Sequence, residues 1–270
     1  MDELADIKMP LSEHLAELRR RILISLGFIF VGMILVYFFY SPWVMWLLRG
    51  PLDTITGKDN PFAIRLWTSL FTRSGSYDYI DLYFISPLEP ILVKLKVSFF
   101  GGIAIASPAV LFQIWRFVSA GLKSSERKII KTIVPFSIGL FLAGCIIAYT
   151  VALPPMLYFL MINMAHGLKP SIIISKYVSV VVYCCLGFGI VFQLPLVMYL
   201  ITRIGLVTPF TLAKSRGYAI VLIFFLAAIL TPTTDIVNQT IMALPMIVLY
   251  ELGLIVSRIA YKRRLKKFAG

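Results

Sequence analysis

Charge is what this chain of 270 residues has least of: 14% of its residues are Asp, Glu, Lys or Arg, 59% are hydrophobic, and the mean hydropathy is +0.89. A soluble domain carries about a quarter charged residues and about half apolar ones, so a water-soluble globular protein is excluded. Histidine occurs twice, as His14 and His166, and neither shares an apolar run with a nucleophile that it could activate. There is no GxSxG, no Walker loop, no HExxH and no pair of aspartates inside apolar segments. The usual signatures of hydrolases, nucleotide-driven enzymes and membrane proteases are therefore missing. Cys145, Cys184 and Cys185 lie in apolar runs without CxxC or His-rich spacing, and they read as small core residues. Neither an enzyme nor a metal or cofactor site is expected.

Acidic residues are also scarce, 13 against 26 basic ones, for a net charge of +13. In a soluble protein that excess would suggest nucleic acid. Here much of it collects beside apolar runs, where it orients the chain and meets anionic lipid. Membrane lipids are the expected partner, and nucleic acid is not.

At about 20 residues per span, the chain has room for roughly six helices in one integral membrane domain. The apolar runs place them at about 22–40, 88–117, 129–150, 178–201, 218–230 and 236–257. The lead over 1–21 is polar and partly acidic, which argues against a cleavable signal peptide, so the first run is read as an anchor. "SPWVMWLLRGPL" reads as a proline-broken turn with Trp43 and Trp46 at the interface, opening a long outer loop over 41–87. The third span is expected to stop at "ALPPM", with a surface helix within 154–176. The fifth span is short for a 30 Å hydrocarbon core and needs bilayer thinning or sheltering neighbours. Eighteen Lys and Arg fall on the side of the two termini and six on the other, with Lys94 and Lys96 at the start of the second span. That asymmetry predicts both termini in the cytoplasm, ahead of a basic tail over 258–270.

Proline and glycine recur inside the spans, at Pro108, Pro135, Pro195 and Pro245 and at Gly101, Gly102, Gly187 and Gly189. Interior prolines bend helices, and the four-residue spacing of Ser98, Gly102 and Ala106 permits close helix contact. The expected fold is all-α: a polytopic membrane protein of six helices forming a curved, concave bundle.

Two acids stand apart, Glu17 in "HLAELRRR" and Glu126 in "GLKSSERKII", each surrounded by basic residues at a helix start. Glu17 reads either as an i,i+4 partner of Arg21, which contributes about 0.2–0.5 kcal/mol, or as a receptor for a cation. Glu126 reads either as a first-turn acid favoured by the helix dipole, with Ser124 or Ser125 as N-cap, or as the second half of the same receptor. Two carboxylates at one depth suit two guanidinium groups.

"HLAELRRRI", "ASPAVLFQIWRFV…GLKSSERK", "FGIVFQLPLV" and "LTPTTDIVNQTIMALPMIVLYE" occur in this order. They resemble the successive signatures of the TatC family, the multi-spanning receptor subunit of the twin-arginine translocase, from about His14 to Glu251. The resemblance implies a bacterial cytoplasmic-membrane protein that binds signal peptides with paired arginines. With TatA- and TatB-type single-span partners and further copies of itself, it would export folded proteins using the proton-motive force. The family's recognition acids fall on Glu17 and Glu126, with Arg19, Phe117 and Arg127 in the surrounding patch. Gln193 falls where the family has Glu or Gln facing the concave interior, and it reads equally as a helix-to-helix hydrogen bond. Asp235 and Gln239 fall on the family's contact for partner helices, although Asp235 also suits an N-cap. Glu89 has Lys94 or Lys96 in reach as partners, and Glu251 has Arg258 or Arg203. Ala120 and Lys123 depart from the proline and aromatic residue common in the family's loop, and the first outer loop is longer than usual. The competing readings are a small-solute secondary transporter, which needs buried charges near the midplane, and a scaffold that recruits helices through the short fifth span.

Overall fold

The computed structural model describes residues 11–39, 42–55, 80–122, 124–163, 171–233 and 235–268. Ten α-helices and one pair of two-residue strands are found among them. In order these are α1 (Leu11–Phe38), α2 (Pro42–Ile55), β1 (Leu82–Tyr83), α3 (Glu89–Ala120), α4 (Ser124–Ile147), α5 (Leu153–Tyr158), β2 (Ile172–Ile173), α6 (Ile174–Val191), α7 (Leu194–Ile204), α8 (Pro209–Lys214), α9 (Arg216–Leu230) and α10 (Ile236–Phe268). Five helical stretches are long and apolar enough to cross a membrane: Ser12–Phe38, Glu89–Ala120, Ile129–Met161, Ile174–Ile204 and Ile236–Leu265. The fifth expected span is the shorter apolar helix α9. Large apolar side chains cover the surface of these stretches, among them Phe30 at 62% and Phe38 at 79% exposure. Such a surface is a liability in water and the required one in lipid, where helices satisfy their own backbone groups.

The contacts divide the described residues into two compact units. The first is built from α1 with residues 95–141. Its α1 and α3 touch through backbone: a Cβ on Gly102 would lie 2.5 Å from the Met33 nitrogen, and one on Gly32 would lie 2.7 Å from the Gly102 oxygen. Only residues without a side chain permit that approach, which is the contact foreseen from the Ser98, Gly102, Ala106 spacing. Ser98 and Ala106 are buried on the same helix. The buried Trp115 indole donates to Ser137 Oγ at 2.7 Å, joining α3 to α4.

The second unit is built from residues 40–94 and 142–270. It departs from the sequence reading in four places. "SPWVMWLLRGPL" is not a broken turn, because Pro42–Ile55 is helical with Pro51 inside it. Pro51 has no N–H for the Leu47 carbonyl four residues back, and that carbonyl accepts instead from the Tyr149 hydroxyl. The neighbouring Leu48 carbonyl accepts from the buried Tyr177 hydroxyl at 2.7 Å. The Trp43 side chain lies outside the described residues. "ALPPM" does not end the third span either. A π-helical turn over Ala148–Ala152 precedes α5 and a second follows at Phe159–Asn163, so the helix continues past both prolines, which are buried. Widening the turn is how a helix accommodates residues that cannot donate. The tail is not a separate element, since α10 runs on through the basic residues to Phe268. Glu251 pairs with Arg216 at 2.9 Å, rather than with Arg258 or Arg203.

The fourth span is two helices in series. Pro195 stands in the first turn of α7 and cannot donate to the carbonyl of Val191, so α6 ends at that residue and Phe192–Gln193 form the joint. Gly205, at φ 84°, closes α7 in the left-handed conformation that glycine adopts without strain. A buried hydrogen bond of 2.7 Å between Thr202 and Ser257 ties α7 to α10. Glu89, also buried, accepts from the backbone N–H of Ile85 at 2.8 Å and of Ser175 at 3.2 Å. One carboxylate thus fastens the chain before α3 and the first turn of α6. Beside it β1 and β2 pair in parallel, Leu82 with Ile172 and Tyr83 with Ile173.

Candidate functional site

Glu17, one of the two acids singled out in the sequence, lies near the start of α1 in the first unit. Glu17 Oε1 accepts from Arg21 Nη2 at 3.0 Å, one helical turn on, and Arg21 Nη1 donates to Gln113 Oε1 on α3 at 2.9 Å. The Glu17 and Arg21 side chains are 19% and 13% exposed, so this i,i+4 pair is sheltered. Four residues along α3, Phe117 stacks on the His14 ring at 4.5 Å between centroids and 21° between planes. His14 and Glu17 lie on one face of α1, and Gln113 and Phe117 lie on one face of α3. The two contacts therefore fix the rotation of each helix where the acid stands.

Chemically, the arrangement is a carboxylate with spare capacity. One oxygen of Glu17 is engaged by Arg21, and the other has no partner among the described residues. Within the same cluster, Arg21 Nε and His14 Nδ1 are buried without a partner among the described residues. Arg19 is exposed on α1. Arg127 is exposed in the first turn of α4, with its Nε donating to the Leu122 carbonyl at 3.2 Å. Glu126 occupies the same first turn, and its side chain lies outside the described residues, as do those of Lys123, Ser124 and Ser125. Reading the sequence singled out Glu17, Arg19, Phe117 and Arg127 as expectations, and did not single out Gln113 or the stacking of His14, which the structure places beside Glu17 and Phe117. The available signal was a polar Gln113 within the apolar run "VLFQIW".

The other expected polar positions lie in the second unit. Gln193 sits at the α6–α7 joint and its Nε2 donates to the Gly189 carbonyl of its own helix at 3.5 Å. Asp235 is the N-cap of α10: Oδ1 accepts the Asn238 N–H at 2.8 Å, and Oδ2 accepts from the Asn238 amide at 2.9 Å and from the Thr233 hydroxyl. Partial burial alone would raise its pKa, but these hydrogen bonds outweigh it and hold the carboxyl below its usual value near 3.8. Gln239 Nε2 donates to the Phe224 carbonyl at 2.8 Å and joins α10 to α9.

A profile of the family described as Sec-independent protein translocase protein (TatC) matches residues 13–245. The chain belongs to the TatC family. A TatC protein from Carboxydothermus hydrogenoformans is 34% identical over 265 residues, 98% of each chain, and one from Aquifex aeolicus is 33% identical over 258 residues, 95% of this chain and 98% of its own. A crystal structure described as the twin-arginine translocase receptor TatC superimposes with a TM-score of 0.75 at 32% identity, covering 92% of this chain and 99% of that one. TatC proteins are membrane components of a protein translocase and are not enzymes. Among the described residues this member is all-helical apart from two short strands, with five helical stretches long and apolar enough to cross a membrane. The TatC match spans both units, so the acidic cluster of α1 and the capped start of α10 belong to one family scaffold.

Proposed function

We propose that this chain is the signal-peptide receptor and core subunit of a bacterial twin-arginine translocase in the cytoplasmic membrane, with six spans and both termini in the cytoplasm. The observation that carries the reading is Glu17: a sheltered carboxylate at a membrane-helix start, held in place by the Arg21–Gln113 bridge and the His14–Phe117 stack, with one oxygen that has no partner among the described residues. Glu126, in the first turn of α4, supplies the second carboxylate. Arginine makes two parallel charge-assisted bonds to a carboxylate where lysine offers a point charge, which accounts for a demand for paired arginines. Each contact contributes about 1.5–3 kcal/mol, so charge reads the address. Firm holding comes from the apolar segment of the peptide, at about 0.8 kcal/mol per buried CH₂. Arg19, Phe117 and Arg127 complete the patch.

Single-span partners of the TatA and TatB kind dock along α9 and α10, near Asp235 and Gln239. Helix α9 has 15 residues, which span about 22 Å at 1.5 Å per residue against a 30 Å core, so a partner helix relieves the mismatch. Six spans enclose no path for a folded protein, so several copies act together, driven by the proton-motive force. Gln193 is neutral and carries no proton in this step.

The test is export of a folded fluorescent reporter in cells lacking their own receptor, with this chain supplied alongside partner subunits. Export that requires paired arginines in the signal, and falls on Glu17→Ala, supports the reading. Export indifferent to the arginines, or uptake of small solutes by liposomes containing the chain alone, overturns it.

A further inference from the structure

At the end of the α3–α4 hairpin where α4 begins, the first unit has a groove of about 300 Å³ between the two helices. Its rim holds Arg116, Arg127 and Lys131, and its floor is Phe112, Ile130 and Val134; no carboxylate is among the lining side chains the structure describes. The Arg116 guanidinium lies 6.0 Å from the centroid of the Phe112 ring, over the floor. Arg127 donates from Nε to the Leu122 carbonyl, and its two terminal nitrogens have no partner among the described residues. All three cations are exposed. Arg116 stands four residues from the end of α3, and Arg127 and Lys131 stand three and seven residues into α4, while Phe112 and Val134 lie about 4–6 Å further in than Arg116 and Lys131 at 1.5 Å per residue.

We propose that this groove is a binding site for one anionic phospholipid, with its phosphate on Arg116, Arg127 and Lys131 and an acyl chain on Phe112, Ile130 and Val134. Three like charges around one groove repel each other until an anion neutralises them, and the first-turn N–H groups of α4 add partial positive charge at the same place. The apolar floor beside the cations selects a lipid over a free phosphate, because only a lipid puts apolar surface on Phe112, Ile130 and Val134 as well as charge on the rim. Phe112 and Arg116 lie about 100° round α3 from the Gln113 and Phe117 face that meets α1. The groove shares Arg127 with the patch proposed to surround the Glu17 site, whereas Arg116 and Lys131 belong to the groove alone.

The test is native mass spectrometry of the full chain in detergent, titrated with phosphatidylglycerol, phosphatidylcholine or glycerol 3-phosphate. Wild type should retain one phosphatidylglycerol at least tenfold more tightly than phosphatidylcholine and show no glycerol 3-phosphate. Arg116→Gln and Lys131→Gln should each lower that preference about fivefold, whereas Lys262→Gln, with the same charge change elsewhere, should not. Val134→Phe, which fills the floor and keeps the charge, should weaken phosphatidylglycerol as well and guards against misfolding of the charge variants. Equal retention of the two lipids, an equal loss with Lys262→Gln, or competition by glycerol 3-phosphate overturns the proposal.

Discussion

Gly102→Ala tests the seating of the α1 acid most directly, because its cost is set by atoms that cannot rotate away. The new Cβ would meet the Met33 nitrogen at 2.5 Å, the Met33 Cα at 2.8 Å and the Gly32 carbonyl carbon at 3.0 Å, all of them backbone. Relief to an ordinary separation of about 3.5 Å requires α1 to move by about 1 Å as a body. Overpacking of this kind costs about 1–3 kcal/mol, against a gain of about 0.5–1 kcal/mol from replacing a helical glycine. A net loss of about 1–2 kcal/mol is expected. Gly27→Ala and Gly139→Ala are internal controls in the same unit, since neither Cβ would meet anything within 4 Å, and both should stabilise slightly. Thermal unfolding of the three variants in one detergent supplies the comparison. The shift should also loosen the 2.9 Å Arg21–Gln113 bond and the His14–Phe117 stack, weakening binding of a paired-arginine peptide. Gly102→Ala as stable as the controls would refute the close-contact reasoning.

Three further outcomes follow from the second unit. Asp235→Ala should cost about 1 kcal/mol, seen as lost exchange protection at the Asn238 amide. Because the folded pKa of Asp235 is depressed, the cap is fully present above the ordinary aspartate range and is lost as pH falls through the lower folded value; wild-type protection at Asn238 should persist at pH 5 and fade only below about pH 4. Glu89→Gln replaces one of two acceptors by a donor facing an N–H, and should cost about 1–3 kcal/mol, with faster exchange at Ile85 and Ser175 but not at Trp115. Glu251→Gln breaks an exposed ion pair with both side chains 47% accessible, and unfolding should move by less than about 1 kcal/mol.

The five helical stretches of membrane length were legible because long apolar runs have few other uses, and the sheltered pairing of Glu17 with Arg21 was legible because a carboxylate one turn before an arginine at a helix start is conspicuous. What escaped was set by distant partners. Pro51 reads as a breaker until the hydroxyl of Tyr149, 102 residues from Leu47, takes the orphaned carbonyl. "ALPPM" reads as a stop because a π-helical turn has no sequence signature of its own. Glu251 had Arg258 two helical turns along the same helix, yet Arg216, 35 residues back, is the one that reaches it. Gln113 gave a signal, a polar side chain in an apolar run, but its partner Arg21 lies 92 residues away.

The central claim is that Glu17 and Glu126 read paired arginines. It is tested by site-specific photocrosslinking of the membrane-embedded chain to a signal peptide with paired arginines and to the same peptide with paired lysines, in wild type, Glu17→Ala and Glu126→Ala. The account predicts strong crosslinking of the arginine peptide to wild type, much weaker crosslinking of the lysine peptide, and collapse of that difference in either variant. Equal crosslinking of both peptides, unaffected by either substitution, would contradict it and leave Glu17 as no more than the i,i+4 partner of Arg21.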